Sequence, residues 1–306
     1  MVATPTPLPK VPGYRIERIL GRGGMGTVYL ATQLSLGRPV ALKVLHPNRV
    51  RNPADAEAFF QEALAAGRLN HPSLVTIHDV IQDPAQGIHA YAMQYVEGRT
   101  AGAVVREDGP LPRPAALRLI GQAAAALAVA HAQGFVHRDV KPDNLLVTPR
   151  HEVKLLDLGL AYNRLGGLTG GPATPGHRRL VLIGTPEFAA PEQCRNPDEA
   201  DPTADVWSLG ATLHVLLTGR PPFEGVTVID LIVRAATEPL AMVDGLDRDC
   251  ADLLNILMAK DPDHRYADAT DAAEAIAAVV AGRPAPRVVA TTEAPRRRQP
   301  PRRRMR

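Results

Sequence analysis

The chain has 306 residues, of which 45% are apolar and 22% are charged, which is enough for one large domain or two ordinary ones. This composition excludes a wholly disordered chain. The small net charge of +3 by itself predicts no nucleic-acid partner. The last residues, APRRRQPPRRRMR, hold much of the positive excess, so the folded body is nearer neutral or acidic. The two cysteines, Cys194 and Cys250, match no metal spacing and are typical of a reducing compartment.

The two ends of the chain differ in composition from the part between them. Residues 1–13 are Pro-rich and predict a disordered N-terminal arm, and residues 283–306 predict a basic, Pro/Arg-rich disordered tail. The N-terminus lacks the apolar core of a signal peptide, and no run of about 18 apolar residues occurs. We therefore expect a soluble, cytoplasmic protein. The tail is most simply a solvated end; contact with anionic lipid or nucleic acid, or the juxtamembrane start of a longer receptor, are the alternatives.

The first part of the chain reads as a small sheet with one helix. A helical pattern covers residues 53–69 and closes before Asn70-His71-Pro72. Alternating or β-branched runs predict strands at 14–20, 27–32, 39–46, 75–82 and 89–95.

After Gly98 the pattern changes to long helices. Helical runs occur at 114–133, 204–218, 226–236, 248–259 and 267–281. Short strands are predicted at 145–147 and 153–155, and a Gly/Pro/Thr-rich loop covers 163–184. The chain thus predicts an α+β fold with a β-rich lobe, a hinge and a mainly α-helical lobe.

A glycine cluster lies between the first two predicted strands. Residues 21–28 read GRGGMGTV, which fits G-x-G-x-x-G-x-V, a pattern that lets main-chain amides approach a triphosphate. A Gly-rich hairpin turn fits the motif equally well. A dinucleotide-binding loop would require a helix directly after the glycines, whereas residues 27–30 read as a strand.

A lysine on the third strand has a candidate partner on the predicted helix. Lys43 follows Val40-Ala41-Leu42, and strand alternation places it on the face of Ala41. A lone strand lysine is usually a solvated edge residue. Glu62, inside the helix, is the residue type that can fix a lysine facing the phosphates of ATP.

Residues 137–144 read HRDVKPDN and are the strongest indication of catalytic function in the sequence. Asp139 can accept the proton of an attacking hydroxyl, and Lys141 can neutralise charge on a transferring phosphoryl group. Asn144 can hold a metal ion through its side-chain oxygen. Asp157, after an apolar strand and before Leu158-Gly159, is a second candidate metal ligand. The alternative for residues 137–144 is a polar, Pro-bearing turn after a helix, and the alternative for Asp157 is an ordinary Asp-x-Gly turn.

In this order, these segments resemble the eukaryotic-like (Hanks-type) serine/threonine protein kinases of bacteria over about residues 14–281. Residues 184–192 are similar to the family's substrate-docking and A-P-E segment, and residues 205–210 resemble its buried helix with a bracing aspartate. His264-Arg265-Tyr266 supplies an arginine that pairs with Glu192 in the family. The domain would cover 14–282, with an N-lobe at 14–93, a hinge at 94–97 and a C-lobe at 98–282.

The resemblance implies ATP and Mg²⁺, with Mn²⁺ as an alternative ion, and transfer of the γ-phosphoryl group to Ser or Thr. It assigns catalytic roles to Lys43, Glu62, Asp139 and Lys141, and metal binding to Asn144 and Asp157. Lys141 implies Ser/Thr rather than Tyr acceptors, with Thr185 nearby. The implied nucleotide site consists of Leu20, Gly21, Arg22, Gly23, Gly24, Met25, Gly26, Val28, Ala41, Lys43, the gatekeeper Met93, the hinge residues Gln94, Tyr95 and Val96, Asn144, Leu146 and Asp157.

The resemblance also implies regulation and partners. Arg138 precedes the catalytic aspartate and implies activation by autophosphorylation in the following loop, where Thr169 and Thr174 are the candidate acceptors. Protein substrates and a homodimer for autophosphorylation in trans are the interactions that the resemblance implies. The charge of the Arg-rich tail, and not the resemblance, adds weak contact with anionic membranes as an alternative to a solvated end. The rival functions are a pseudokinase scaffold, which would lack Lys43 or Asp139, and a small-molecule phosphotransferase, which would lack the A-P-E segment.

Overall fold

The computed structural model describes residues 8–50, 53–83, 85–157, 185–196, 200–243 and 245–288. The chain forms two lobes with a cleft between them, and the predicted bilobal α+β fold is confirmed. The predicted phosphorylation sites Thr169 and Thr174 lie outside the described residues, as does Leu158, which follows the candidate metal ligand Asp157.

The N-lobe is a five-stranded antiparallel sheet with the order β1-β2-β3-β5-β4. A short helix α1 (Pro47–Val50) precedes α2 (Pro53–Ala66), which ends before Gly67 and is shorter than predicted. The strands are β1 (Tyr14–Arg22), β2 (Gly26–Gln33), β3 (Arg38–Leu45), β4 (Ile77–Asp83) and β5 (Ile88–Gln94).

Strand β3 is buried on both faces, and its alternation separates two apolar clusters. Val40, Leu42 and Val44 pack on one face of the sheet. Ala41 and Leu45 pack on the other face, against helix α2. Lys43 shares the second face, because successive side chains of a strand point to opposite sides. The sequence alternation therefore places one lysine between the sheet and α2.

The C-lobe is mainly helical, with a small antiparallel sheet of order β6-β7-β8 beside the cleft. Its strands are β6 (Arg99–Thr100), β7 (Leu145–Val147) and β8 (Val153–Leu155). Its helices are α3 (Ala101–Asp108), α4 (Arg113–Ala132), α5 (Pro191–Arg195), α6 (Pro202–Thr218), α7 (Val228–Thr237), α8 (Arg248–Leu257) and α9 (Ala269–Val280).

Helix α6 lies at the centre of the C-lobe. It begins at Asp201, whose side chain accepts a hydrogen bond from the amide of Thr203, and it ends at Gly219 in the left-handed conformation. Helix α4 packs against α6 and α9. By length and apolar composition alone α4 could cross a membrane, but half of its most apolar window is buried in the core of this lobe.

Both predicted disordered ends differ from the structure where it describes them. Val11 is buried in the N-lobe core beside Tyr14, although residues 1–13 were predicted as a loose arm. Beyond residue 282, Ala285 and Val288 are partly buried against the C-lobe, and the Tyr266 hydroxyl donates to the Pro286 carbonyl (3.0 Å). The apolar residues within these polar segments explain the difference, since each covers core surface.

Candidate active site

A cleft of about 1090 Å³ separates the lobes, and every sequence-predicted catalytic, nucleotide-binding and metal-binding residue lines it. Its roof is the glycine segment with Leu20 and Val28, its back wall includes Ala41 and Met93, and Leu146 lies on the C-lobe side. A second cavity of about 550 Å³, between α3, α4 and the β7–β8 turn, contains none of the predicted site residues. The sequence prediction therefore locates the larger cleft.

The glycine segment is a hairpin between β1 and β2. The amide of Gly23 donates to the carbonyl of Gly26 (2.9 Å), and His46 contacts the Gly23 carbonyl (3.0 Å). A β-carbon at Gly26 would lie 2.3 Å from the Val44 carbonyl oxygen, so glycine is required for β2 to approach β3. Because a strand follows the glycines, the segment is not the strand-to-helix loop of a dinucleotide-binding fold.

Lys43 is held by two carboxylates. Its ammonium lies 3.0 Å from Glu62 Oε1 and 2.7 Å from Asp157 Oδ1. Burial by itself would lower the pKa of Lys43, but the charges of Asp157 and Glu62 raise it well above its ordinary value. The lysine is therefore a permanent cation between the glycine segment and the C-lobe. Asp157 is likewise ionised: burial would raise its pKa, and Lys43 lowers it below the usual range.

The segment after α4 brings Asp139 and Lys141 together with Thr185. Lys141 Nζ donates to Asp139 Oδ2 (2.7 Å) and to the Thr185 hydroxyl (2.6 Å). The Thr185 amide and hydroxyl both donate to Asp139 Oδ1 (3.1 and 3.2 Å). This carboxylate is thus fixed beside a cation and faces the cleft.

Asn144 and Asp157 present oxygen atoms to the same part of the cleft. The Asn144 amide nitrogen donates to the Asp139 carbonyl (2.7 Å) and carboxylate (3.1 Å), which leaves the side-chain oxygen of Asn144 as an acceptor. Among the residues that the structure describes, only Lys43 donates to the Asp157 carboxylate. An amide oxygen and a carboxylate are the hard donors that Mg²⁺ prefers, so the residues present fit this ion.

The predicted catalytic segment, residues 137–144, is anchored by Asp205 of α6, which is fully buried. Its carboxylate accepts the amides of His137 and Arg138 (2.7 Å each) and contacts His131 Nε2 (2.9 Å). Burial would raise the pKa of Asp205, but the hydrogen bonds from the His131 side chain and the His137 amide lower it below the ordinary value. Arg138 has a left-handed backbone (φ 65°), which these two hydrogen bonds hold in place.

A second buried ion pair lies farther from the cleft. Arg265 has a fully buried side chain and forms two hydrogen bonds with the Glu192 carboxylate (2.6 and 3.0 Å). Its guanidinium lies 5.0 Å from the Trp207 ring. Lys260 lies beside this pair, 4.1 Å from the Phe223 ring, and burial lowers its pKa to about 8. The predicted Glu192–Arg265 pairing is present.

A family model described as the protein kinase domain matches residues 14–278. The chain belongs to the protein kinase family. It is similar to the serine/threonine-protein kinase PknB of Mycobacterium tuberculosis (strain ATCC 25177 / H37Ra), with 36% identity over 288 residues that cover 92% of this chain and 45% of PknB. PknA of the same strain is 37% identical over 278 residues, covering 90% of this chain and 63% of PknA. PknB of Mycobacterium leprae (strain TN) is 35% identical over 284 residues, which cover 90% of this chain and 44% of that protein.

The resemblance drawn from the motifs is thereby confirmed, and family membership implies the use of ATP with a divalent metal ion. The chain spans less than two thirds of these relatives. The matched region and the cleft together identify the family's catalytic domain.

Three residues of this kinase domain were missed by the sequence reasoning. Tyr91 donates to Glu62, and His131 braces Asp205. Arg106 of α3 forms an ion pair with Asp143 at the cleft edge (3.0 Å). Only Tyr91 had a usable signal, since a β5 strand that pairs with β3 places one of its residues opposite Lys43. The other two contacts join distant segments and have no local pattern.

Proposed function

We propose that the chain is a serine/threonine protein kinase that transfers the γ-phosphoryl group of ATP to Ser or Thr hydroxyls of proteins. The observation that carries this proposal is the position of Lys141 between Asp139 and Thr185. This group combines a base, a cation and a hydroxyl at the point where an acceptor hydroxyl would enter. The names of the relatives agree, since PknB and PknA are serine/threonine-protein kinases.

On the nucleotide side, the residues of the cleft divide into an apolar slot and a charged end. Ala41, Val28 and Leu146 would enclose the purine, and the main chain of residues 94–96 would contact its edge. Lys43 would bind the α- and β-phosphates, and Glu62 would keep its ammonium in place. Mg²⁺ would supply neutralisation of the phosphate charge, held by Asp157 and Asn144.

On the acceptor side, Asp139 would orient the Ser or Thr hydroxyl and accept its proton as the oxygen attacks the γ-phosphorus. Lys141 would neutralise charge on the phosphoryl group while its bond to the bridging oxygen of ATP breaks and its bond to the acceptor oxygen forms. ADP would be the leaving group. The transition state of phosphoryl transfer is loose, so positioning and charge neutralisation account for most of the rate. The hydrogen bonds that Lys141 and Thr185 donate to Asp139 would supply that positioning.

Activity is tested by incubating the protein with labelled ATP, Mg²⁺ and a generic basic protein. We expect phosphoserine and phosphothreonine in the protein and in the substrate. Asp139→Asn and Lys43→Met should each lower the rate by about 10²–10⁴-fold, the range for loss of a general base or an electrostatic contact, and still fold. Nucleotide binding without transfer by the wild type would instead favour a pseudokinase scaffold.

We further propose that activation involves phosphorylation of Thr169 or Thr174. Arg138, beside the catalytic aspartate, could hold the added phosphate through charge-assisted hydrogen bonds. Thr169→Ala combined with Thr174→Ala should lower activity, and mass spectrometry of the wild type should find phosphate on this loop. Full activity of the double variant together with an unphosphorylated loop would disprove the switch.

We propose that the domain acts in the cytoplasm and that two copies meet during autophosphorylation, and we take the Arg-rich tail as a weak contact for anionic membranes. Vesicles with anionic lipid should bind the full chain less at higher salt. Binding that survives both high salt and deletion of residues 289–306 would exclude the electrostatic contact.

A further inference from the structure

Tyr91 lies at the centre of the N-lobe, directly opposite Lys43. The two residues are paired in the β3–β5 ladder, and the tyrosine is only 2% exposed. Paired residues of neighbouring antiparallel strands have adjacent side chains on the same face. Tyr91 therefore faces α2 together with Lys43.

The Tyr91 hydroxyl donates to Glu62 Oε1 (2.8 Å), the oxygen that also accepts from Lys43 Nζ (3.0 Å). Its ring packs against Phe59, one turn earlier on α2, with 4.8 Å between centroids. The Lys43 ammonium lies 5.5 Å from the centre of the same ring. Tyr91 thus contacts both members of the ion pair and the helix that carries one of them.

The hydroxyl is a donor at every pH at which the protein would work. Burial raises the pKa of Tyr91 well above its ordinary value, and the Glu62 charge raises it further. The hydroxyl therefore stays protonated and donates to the carboxylate.

We propose that Tyr91 is a positioning residue for nucleotide binding, which fixes Glu62 and α2 against the sheet independently of Lys43. This inference rests on the proposed kinase function. Lys43 is shared between Glu62 and Asp157, and under the proposed function its contacts would change when it binds the phosphates of ATP. The hydrogen bond from β5 keeps Glu62 in place during that change, so the lysine always has a fixed carboxylate beside it.

The test is Tyr91→Phe, which removes the hydroxyl and keeps the ring against Phe59. We expect the KM for ATP and the dissociation constant of Mg-ADP to rise about tenfold, the factor of one hydrogen bond to a charged group, with an unchanged KM for the protein substrate. A purely structural loss would reduce the amount of active enzyme and hence kcat alone. Unchanged affinity for both nucleotides would overturn the proposal.

Tyr14→Phe is the matched control. Its hydroxyl also donates to a carboxylate, that of Asp79 (2.8 Å), in the same sheet but in the cluster that faces away from α2. This variant should keep the KM for ATP of the wild type. An equal rise in both variants would mean that any lost sheet hydrogen bond has the effect, and would refute a specific role.

A double-mutant cycle separates action through Glu62 from other effects. In a Glu62→Ala background, Tyr91→Phe should change Mg-ADP affinity by less than about twofold, because its acceptor is gone. A second tenfold loss in that background would contradict the proposal. The Mg-ADP measurement requires no phosphoryl transfer, so a wild type that binds nucleotide but fails to phosphorylate would reject the proposed function and still test Tyr91.

Discussion

In the N-lobe the buried charges of Lys43 and Glu62 meet side chain to side chain, whereas in the C-lobe Asp205 accepts hydrogen bonds from the main chain of His137 and Arg138. The first arrangement joins a strand to a helix through side chains alone. The second fixes a loop to the central helix of its lobe. The difference teaches that buried charge serves two purposes here: it joins the elements around the proposed nucleotide site, and it ties the loop below the cleft to the core of the C-lobe.

The Glu192–Arg265 pair belongs with Asp205 in this comparison. Arg265 donates to the carbonyls of Ala259 and Thr203 as well as to Glu192, so its charge is also bound to the main chain. Substitutions of the buried C-lobe charges should therefore lower the free energy of unfolding. Substitutions in the Lys43–Glu62 pair should lower activity with little change in stability.

The largest effect on stability is expected for Arg265→Met. Removing one member of a buried ion pair leaves Glu192 with an uncompensated charge, which costs about 3–5 kcal/mol in free energy of unfolding. Urea denaturation measures the change. Arg248→Met is the control, because Arg248 is 88% exposed and its pair with Asp252 should contribute about 0.5 kcal/mol or less. Similar losses in free energy of unfolding for the two variants would show that the buried Glu192–Arg265 pair contributes no more to stability than an exposed pair.

Asp205→Asn should follow, with a loss of about 2–3 kcal/mol, because the amide offers one acceptor oxygen in place of two charged ones. The catalytic segment should also become more mobile, with faster amide exchange at His137 and Arg138. Asp252→Asn, at an exposed site on α8, should change stability by about 0.5 kcal/mol or less. Wild-type stability in Asp205→Asn would show that the two main-chain hydrogen bonds do not need the carboxylate.

Acid should reduce the difference in free energy of unfolding between the wild type and Asp205→Asn. The pKa of Asp205 is lower in the folded state than its ordinary value, so its contribution to stability is present above about pH 4 and is lost as the pH falls through the folded pKa. The gap in free energy of unfolding between the wild type and Asp205→Asn should shrink by about 1 kcal/mol for each pH unit in that range. Urea titrations at several pH values measure it. A gap that widens on acidification would have the opposite sign and would mean that the folded pKa is raised.

Among the buried charges, the smallest change in stability is expected for Glu62→Gln, about 1 kcal/mol or less, because the amide oxygen can still accept from Tyr91 and Asp157 still balances Lys43. Catalysis should respond more strongly, with kcat/KM about 10–100-fold lower, since the lysine loses a charged partner. Thermal denaturation and initial rates measure the two quantities. A variant that is strongly destabilised and fully active would reverse the comparison between the lobes.

The sequence was sufficient for what local patterns encode. Strand alternation placed Lys43 on the correct face, and the turn HRDVKPDN placed Asp139 beside Lys141. Strands β7 and β8 have the predicted bounds, because residues 145–147 form an apolar run and residues 153–155 alternate apolar, charged and apolar. The resemblance to a family supplied the rest of the site, including Thr185, which is distant in sequence from the group that it completes.

Contacts between distant segments could not be predicted in this way. In the sequence His131 is one residue in the last turn of an Ala-rich helix, yet it joins Asp205 to the amide of Ala269 (3.1 Å) at the start of α9. Short elements also escaped, including α1, α3, α5 and β6, since a few residues carry too little periodicity. Tertiary packing, and not local preference, decides these elements.

The raised pKa of Lys43 has a consequence for chemical labelling. An ammonium held protonated by two carboxylates is a poor nucleophile, so reagents that acylate amines should react slowly at this position despite the open cleft. Lys260, with a pKa of about 8, carries a larger fraction of neutral amine at neutral pH. A profile of reactive lysines would therefore highlight Lys260, which lies outside the cleft, and under-report the lysine proposed to bind ATP.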